Sequence, residues 1–475
     1  MHYYTVEAFL PITHNTMKTY KKSLFLFHRD LRLHDNTGLI AACSQSTAVI
    51  PCFIFTPEQV GPTNAYKSDN AIQFMIEALH DLDEELKRAD SRLLLFHDET
   101  ATVIKHLITE EKIEAVFSNK DYTPFAQERD RDLAILCKKY KIASHIFDDA
   151  LLNPPGAVLT KSGEPYKVFT PFWKASATIP VAKDIACPTT SFAATARYTQ
   201  LSSLRKQILK QENKHLAIHG GRKESLKILK HIADFEQYEK IRDMPAHNTT
   251  LLSAHLKFGT LSPRETYHHM QSLGRKVHAG LIRQLYWRDF WYHIAYFYPH
   301  VFGNAFHEKY NNLQWKHNDK GFNAWCEGMT GFPIVDAGMR QLNETGFMHN
   351  RVRMIVASFL IKDLHISWRR GEQYFAQKLV DYDPCINNGN WQWVASTGCD
   401  PQPYFRIFNP WLQQKKYDPA CTYIKQWIPE LKHISTTSIH AWYKTKNRIE
   451  TSYPAPILDH DIERSKTLAM YKAVL

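Results

Sequence analysis

No apolar run in this 475-residue chain reaches membrane-spanning length, no segment repeats another, and no stretch has low-complexity composition. No membrane span or solenoid is therefore expected. Neither GxGxxG after the first apolar run nor GxxxxGK[ST] occurs, so any dinucleotide must be held by something other than a glycine-rich phosphate turn. The eight cysteines include no CxxC pair, and no histidine cluster stands at zinc-finger spacing, which argues against a structural zinc and a disulfide scaffold. A reduced, intracellular protein is expected. Pro11, His14 and Asn15 interrupt any apolar core in the first twenty residues, so no secretion signal is read there. Residues 1–16 are expected to be a disordered extension or a misjudged start, and the location cytoplasmic, or nuclear in a eukaryote.

What is present is positive charge and hydrophobic mass. Against 48 Asp and Glu stand 59 Lys and Arg, a net charge of +11 that favours an anionic partner. A chain 44% hydrophobic at this length can bury more than one core. Short apolar runs at Ser23–Phe27, Ala48–Phe55, Arg92–Phe96, Ala115–Ser118 and Ala143–Phe147 alternate with helical periodicity such as Asn70–Arg88. That alternation predicts a Rossmann-like α/β domain with a five-stranded parallel sheet over residues 20–150. Prolines at 154, 155, 171, 180 and 188 punctuate a connector over 151–221, and residues 222–475 read as an all-α domain with aromatic-rich helices.

Three strings concentrate chemistry. In MHNRVRM, Asn350, Arg353 and Met354 stand at i, i+3 and i+4 and share a helical face, a set suited to a ligand that is polar on one side and apolar on the other. An ordinary amphipathic helix with solvated Asn and Arg has the same spacing. DYDPCINNGNWQW packs turn-forming residues around Gly389 and predicts a tight irregular loop. There Asp381 and Asp383 can pair with Arg353 or accept ribose or ring hydrogens, and Asn387 can donate to a heterocycle. Trp391 and Trp393, two apart, cannot share one helical face, and plain core packing is an alternative for both. In QLYWRDFWYH, Gln284, Trp287, Arg288 and Trp291 form one aromatic and polar helical face, which serves either an unstacked base or a tryptophan-rich core.

Taken together with FHRDLRLHDN, GEPYKVFTPFWKA, TGFPIVDAGMRQL and YFRIFNPWLQ, these strings closely resemble the signature segments of class I photolyases and cryptochromes. The resemblance runs in order from Leu24 to Leu431. It implies a helical domain holding a U-shaped FAD, with the reduced, anionic flavin as the active form, and an α/β domain for an antenna chromophore. It implies Tyr238, Thr249, Thr250, Leu251, Leu252 and Ser253 near the FAD phosphates, and Gln284, Arg288, Asn350, Arg353, Asp381 and Asp383 elsewhere around the cofactor. Asn387 matches the position facing flavin N5, where plant-type cryptochromes carry aspartate. Trp391, Trp368 and Trp315 match the chain through which flavin is reduced from the surface. Trp287, Asn350, Met354 and Trp393 match residues that receive a flipped-out pyrimidine dimer from UV-damaged DNA, and Arg242, Arg351 and Arg406 match phosphate contacts. A monomer is expected.

The resemblance favours light-driven splitting of cyclobutane pyrimidine dimers, with (6-4) repair or cryptochrome signalling as alternatives. Gln284 departs from the glutamate usual in cyclobutane-dimer enzymes, and (6-4) enzymes also carry glutamine there. Those enzymes, however, have histidines where this chain has Asn350 and Met354, and His349 is off that register. SNKDYTPFAQERD resembles an antenna segment in which Glu128 accepts hydrogen bonds from a methenyltetrahydrofolate pterin, with a deazaflavin as the alternative and a solvated helix position as the plain reading.

Overall fold

The computed structural model describes residues 18–194, 201–274, 278–445 and 449–475; the expected N-terminal extension lies outside them. Five strands form one parallel sheet: β1 (Tyr20–Phe27), β2 (Ser46–Phe55), β3 (Leu94–His97), β4 (Ala115–Asn119) and β5 (Ala143–Phe147), in the order β3-β2-β1-β4-β5. Alternation within β1 sorts its side chains between two faces. Phe25 and Phe27 pack with residues of helices α1 (Thr37–Gln45) and α2 (Asp69–Lys87). Leu24 and Leu26 pack with α3 (Thr100–Glu111) and α4 (Pro124–Lys139). Burial on both faces explains why the strands read as continuous apolar runs.

In such sheets the crevice lies where the strand order reverses, here between β1 and β4. Side chains of the protein itself fill it. The Asn119 amide nitrogen donates to Asp30 Oδ2 at 2.6 Å and Asn36 Oδ1 at 2.7 Å, while Asn119 Oδ1 accepts from the Gly38 N–H at 2.9 Å. The missing glycine fingerprint thus has a structural counterpart: the place where it would hold phosphate is used for internal hydrogen bonds.

Beyond the sheet the described chain is helical. The elements that matter for the site are α5 (Leu252–Phe258), α6 (Ala279–Phe297), α7 (Pro333–Thr345), α8 (Asn350–Ser358), α9 (Trp368–Lys378) and α10 (Pro384–Ala395). The segment expected as a connector carries helices Phe169–Ser176 and Leu201–Ile208, whose Phe172 and Leu204 are buried in the helical and α/β cores. Buried ion pairs of Arg264 with Asp35 and Asp149, each at 2.9 Å, join the two regions, and Arg32 within the α/β region pairs with the same Asp149 at 2.7 Å. Burial alone pushes the Asp149 carboxyl up, but the two guanidinium groups overcome this and hold it well below the usual carboxylate range.

One expectation is corrected. The string after Asp383 is helix, not irregular loop: Asp383 accepts from the N–H groups of Cys385 and Ile386 at 3.0 and 3.2 Å, and Pro384 stands at the first helical position. Capping and proline at N1 outweigh the turn preference of three asparagines. Gly389 is needed there, because a Cβ would fall 2.3 Å from the Trp291 ring where α10 crosses α6.

Candidate functional site

The pocket is built around Asp381, in the segment joining α9 to α10. Its Oδ2 accepts from Ser253 Oγ of α5 at 2.7 Å and from Arg353 Nη2 of α8 at 2.9 Å. Arg353 is oriented by a second bond, Nε to the Met348 carbonyl at 2.8 Å. The other oxygen, Asp381 Oδ1, is buried and has no hydrogen-bond partner among the described residues. An ionised oxygen left unpaired in the interior costs about 1–3 kcal/mol or more, so this atom marks a place for an external N–H or O–H donor. Thr249 and Thr250 are half-buried and Ser253 is exposed on the approach to α5, where Leu251 takes a left-handed φ of 56° and Leu252 is buried. Tyr238 lies in a short helix with the Arg242 guanidinium 5.8 Å over its ring.

Asp383, buried two residues on, faces a different set. Its Oδ2 accepts from the Tyr292 hydroxyl at 2.5 Å and pairs with Arg29, which arrives from the end of β1. Burial raises this carboxyl, and Arg29 and then Arg288 more than compensate, holding it below its ordinary value. Arg288 donates to the Ala150 and Leu256 carbonyls and lies 4.9 Å over the Tyr292 ring. Half-buried Lys257 sits near Asp381 and Asp383, its ammonium lowered to about 7 by desolvation first and Arg29 second. Asn387, one turn into α10, has its amide nitrogen 3.5 Å from the Glu372 carbonyl. The expectation of two aspartates on Arg353 is thus divided: Arg353 pairs with Asp381, and Arg29 with Asp383.

A half-satisfied carboxylate acceptor, the hydroxyls of Thr249, Thr250 and Ser253, and the nearby Arg353 and Lys257 form a set that fits a dinucleotide with a diphosphate and ring N–H groups. Arg353, Asp381, Ser253 and Lys257 are the residues that would hold it.

A second group of the expected residues is aromatic. Half-buried Trp287 stacks on Phe169, centroids 3.5 Å apart and planes within 8°. Half-buried Trp393 packs against the same core cluster as Trp287. Asn350 is exposed, its amide 4.0 Å from the Met354 sulfur. Gln284, half-buried, donates its amide hydrogen to the Gly280 carbonyl at 3.2 Å. His349 is buried and points its Nδ1 at the Arg351 N–H as a helix cap, with its pKa lowered to about 4 by burial.

Trp391 and Trp368 are fully buried members of one core cluster, and half-buried Trp315 packs against it. Arg351 is tied to Asp243 at 2.9 Å, Arg242 is half-buried and Arg406 is exposed. Exposed Glu128, on α4, lines a separate cavity of about 240 Å³ with Thr56, Glu58, Glu99, Arg129 and Asp132.

Residues 23–189 match the family model for DNA photolyase, and residues 281–473 match the model for the FAD-binding domain of DNA photolyase. A deoxyribodipyrimidine photo-lyase of Escherichia coli is 38% identical, with 95% of this chain and 98% of that protein covered. The chain belongs to the DNA photolyase family. Among solved structures, a Sulfolobus tokodaii photolyase described with two FAD molecules superposes with TM-score 0.86 at 43% identity, covering 95% of this chain and all of that one. A Synechocystis cryptochrome gives TM-score 0.87 at 27% identity, covering 96% and 100%. This photolyase-family fold therefore carries an FAD-binding domain, and no helix among the described residues is long and apolar enough to cross a membrane.

Sequence reasoning missed Arg29, Tyr292 and Lys257. Arg29 lies inside FHRDLRLHDN and Tyr292 inside QLYWRDFWYH, but their partners are 354 and 91 residues away along the chain. No local pattern carries that pairing.

Proposed function

We propose that this protein is a deoxyribodipyrimidine photolyase that repairs cyclobutane pyrimidine dimers in UV-damaged DNA under light, as a monomer. The observation that carries the reading is the buried Asp381 carboxylate with one oxygen open, in a chain whose α6 and α10 also carry the half-buried Trp287 and Trp393. On this reading residues 20–150 form the antenna domain, 151–221 the connector, and 222–475 the domain that binds FAD and DNA. When bound, reduced anionic FAD supplies the photoexcited electron that opens the cyclobutane ring.

The chain's own residues do the rest. Asp381 Oδ1 would accept a hydrogen bond from the cofactor, and Arg353 and Ser253 hold that carboxylate in orientation. Asn387 presents a neutral amide, which binds without acting as an acid. Trp287 and Trp393 offer flat apolar surface to a dimer that has left the stack, a displacement costing least at damaged sites. Asn350 hydrogen-bonds a base, and Met354 fills the irregular space beside it. Arg242 and exposed Arg406 contact phosphate, whereas Arg351 must first share its charge with Asp243. Trp391, Trp368 and Trp315 carry electrons inward from the surface.

Cyclobutane dimers are favoured over (6-4) products because Asn350 and Met354 occupy the helix face where an acid–base histidine would be needed, and His349 is committed to capping. The antenna chromophore is assigned to the Glu128 cavity. A methenyltetrahydrofolate pterin, which offers N–H donors to Glu128, suits a wall bearing Glu58, Glu99, Glu128 and Asp132 better than a diphosphate does. A deazaflavin, or a second flavin such as the Sulfolobus protein is described with, is the alternative.

The test is the loss of dimers from UV-irradiated oligonucleotide in the presence of flavin-loaded, anaerobically reduced protein, in light and in darkness. Light-dependent loss is expected. A flavin-loaded protein that binds damaged DNA no better than intact DNA and repairs nothing would assign the fold to signalling.

A further inference from the structure

Arg29 belongs to the α/β domain, yet most of its hydrogen bonds leave that domain. Its Nε donates to the Lys257 carbonyl of α5 at 3.1 Å, and its Nη2 donates to the Tyr292 oxygen of α6 at 2.5 Å and to Asp383. Only Nη1 turns back, to Asp121 just beyond β4, at 3.2 and 3.3 Å. Its side chain is 19% exposed and that of Asp383 is 2% exposed. The backbone is fixed as well: Leu31 N–H donates to the Phe258 carbonyl at 3.0 Å, and Gly259, at φ +65°, lies so close that a Cβ would stand 2.2 Å from the Arg29 carbonyl oxygen. Asp383 in turn caps α10, the helix that carries Asn387 and Trp391.

We infer that Arg29 is a positioning residue of the flavin pocket, supplied by the antenna domain, which holds Asp383 so that α10 presents Asn387 at a fixed height. The inference rests on the assignment of the flavin to this pocket. A guanidinium suits the task, because its planar fork, held by Asp121 through Nη1 and the Lys257 carbonyl through Nε, fixes the direction in which Nη2 meets Asp383. The groups facing Asp383 make the reliance specific. From α6 come Arg288, engaged with two carbonyls, and the Tyr292 hydroxyl; from α5 comes Lys257, shared with Asp381; Tyr382 and Cys385 flank it in sequence, and Asp121 repels it through Arg29. Without Arg29 the carboxyl keeps its burial and loses its strongest partner, so its pKa rises and protonation weakens the cap.

The experiment titrates FAD into apo-protein at pH 5.5, 7 and 8, following the absorption and quenched fluorescence of the bound flavin. Wild type is expected to vary only through Lys257, whose ammonium titrates near 7, and the variants are read against that profile. Arg29→Gln is expected to bind more weakly and to lose affinity further as pH falls, by about tenfold per unit below the new carboxyl pKa. The double variant with Asp383→Asn removes the titrating group and should abolish that slope. Arg29→Lys, which keeps the charge and is the variant of choice should Arg29→Gln fail to fold, should keep the wild-type profile with a weaker constant. An unchanged affinity in Arg29→Gln, or a pH-independent loss that Asp383→Asn leaves untouched, overturns the inference. If Asp381→Asn leaves FAD affinity unaltered, the flavin assignment itself falls, an outcome distinct from failure of Arg29 alone.

Discussion

The pocket around Asp381 and the cavity around Glu128 differ in how they are made. The first draws on α5, α8 and the α9–α10 junction, and its central carboxylate is buried with one oxygen satisfied and one open. The second sits on the α/β domain, and its Glu128 is an exposed carboxylate. A site whose groups are bound to each other restricts what can enter; a site of solvated side chains does not. The first therefore names its ligand class by unmet hydrogen bonds, while the second names only a size and a charge.

The largest effect that can break this contrast comes from Arg353→Ala. It leaves Asp381 as a buried, unpaired charge, a change worth about 3–5 kcal/mol at buried ion pairs, so FAD content after purification should fall by more than a hundredfold. Retention of full flavin content would place the cofactor elsewhere.

Next in size is Trp393→Ala. Loss of one stacking surface costs about 1–3 kcal/mol per base, so affinity for dimer-containing DNA should drop roughly 5- to 150-fold while the flavin spectrum stays unchanged. Trp315→Phe sharpens the same region: it should block photoreduction of the oxidised protein and spare repair by chemically reduced protein.

Asp289 tests whether every buried acid beside the pocket serves it. Burial raises this carboxyl to about 7 despite Arg288 and the backbone N–H groups beside it, among them Asn153 N–H, which Oδ2 accepts at 3.0 Å. A folded pKa above the unfolded value of 3.8 means the folded state binds the extra proton, so stability falls as pH rises from about 4 to about 7. Asp289→Asn should then stabilise the protein by up to about 4 kcal/mol at pH 8 and hardly at all near pH 4, read by denaturant midpoints, with FAD content unaltered.

The smallest effect is expected at the cavity. Glu128→Gln should weaken antenna binding severalfold and narrow the action spectrum, leaving flavin content and repair at the flavin's own wavelengths intact. A loss of FAD there would show that the two sites are not separate.

Local pattern carried much of this architecture. The five strands and α2 lie within two or three residues of the apolar runs that announced them, because residues buried on both sheet faces leave a continuous signature. Spacing also placed Asn350, Arg353 and Met354 on one helix. It failed at α10, where asparagines and glycine suggested a loop while the Asp383 cap and the contact with Trp291 decided otherwise. It failed again at Arg29, whose role depends on a partner in the other domain. The roles of Trp391 and Trp393 were open in periodicity alone; burial separates them, with Trp391 in the core and Trp393 half-buried.

The most direct test of cyclobutane-dimer repair uses matched oligonucleotides bearing either a single cyclobutane thymine dimer or a single (6-4) photoproduct, each illuminated with anaerobically reduced protein. The arrangement of Asn350, Met354 and the capping His349 predicts repair of the first alone, with Gln284 tolerated. Repair of the (6-4) product alone would contradict it and make Gln284 the residue that sets the substrate.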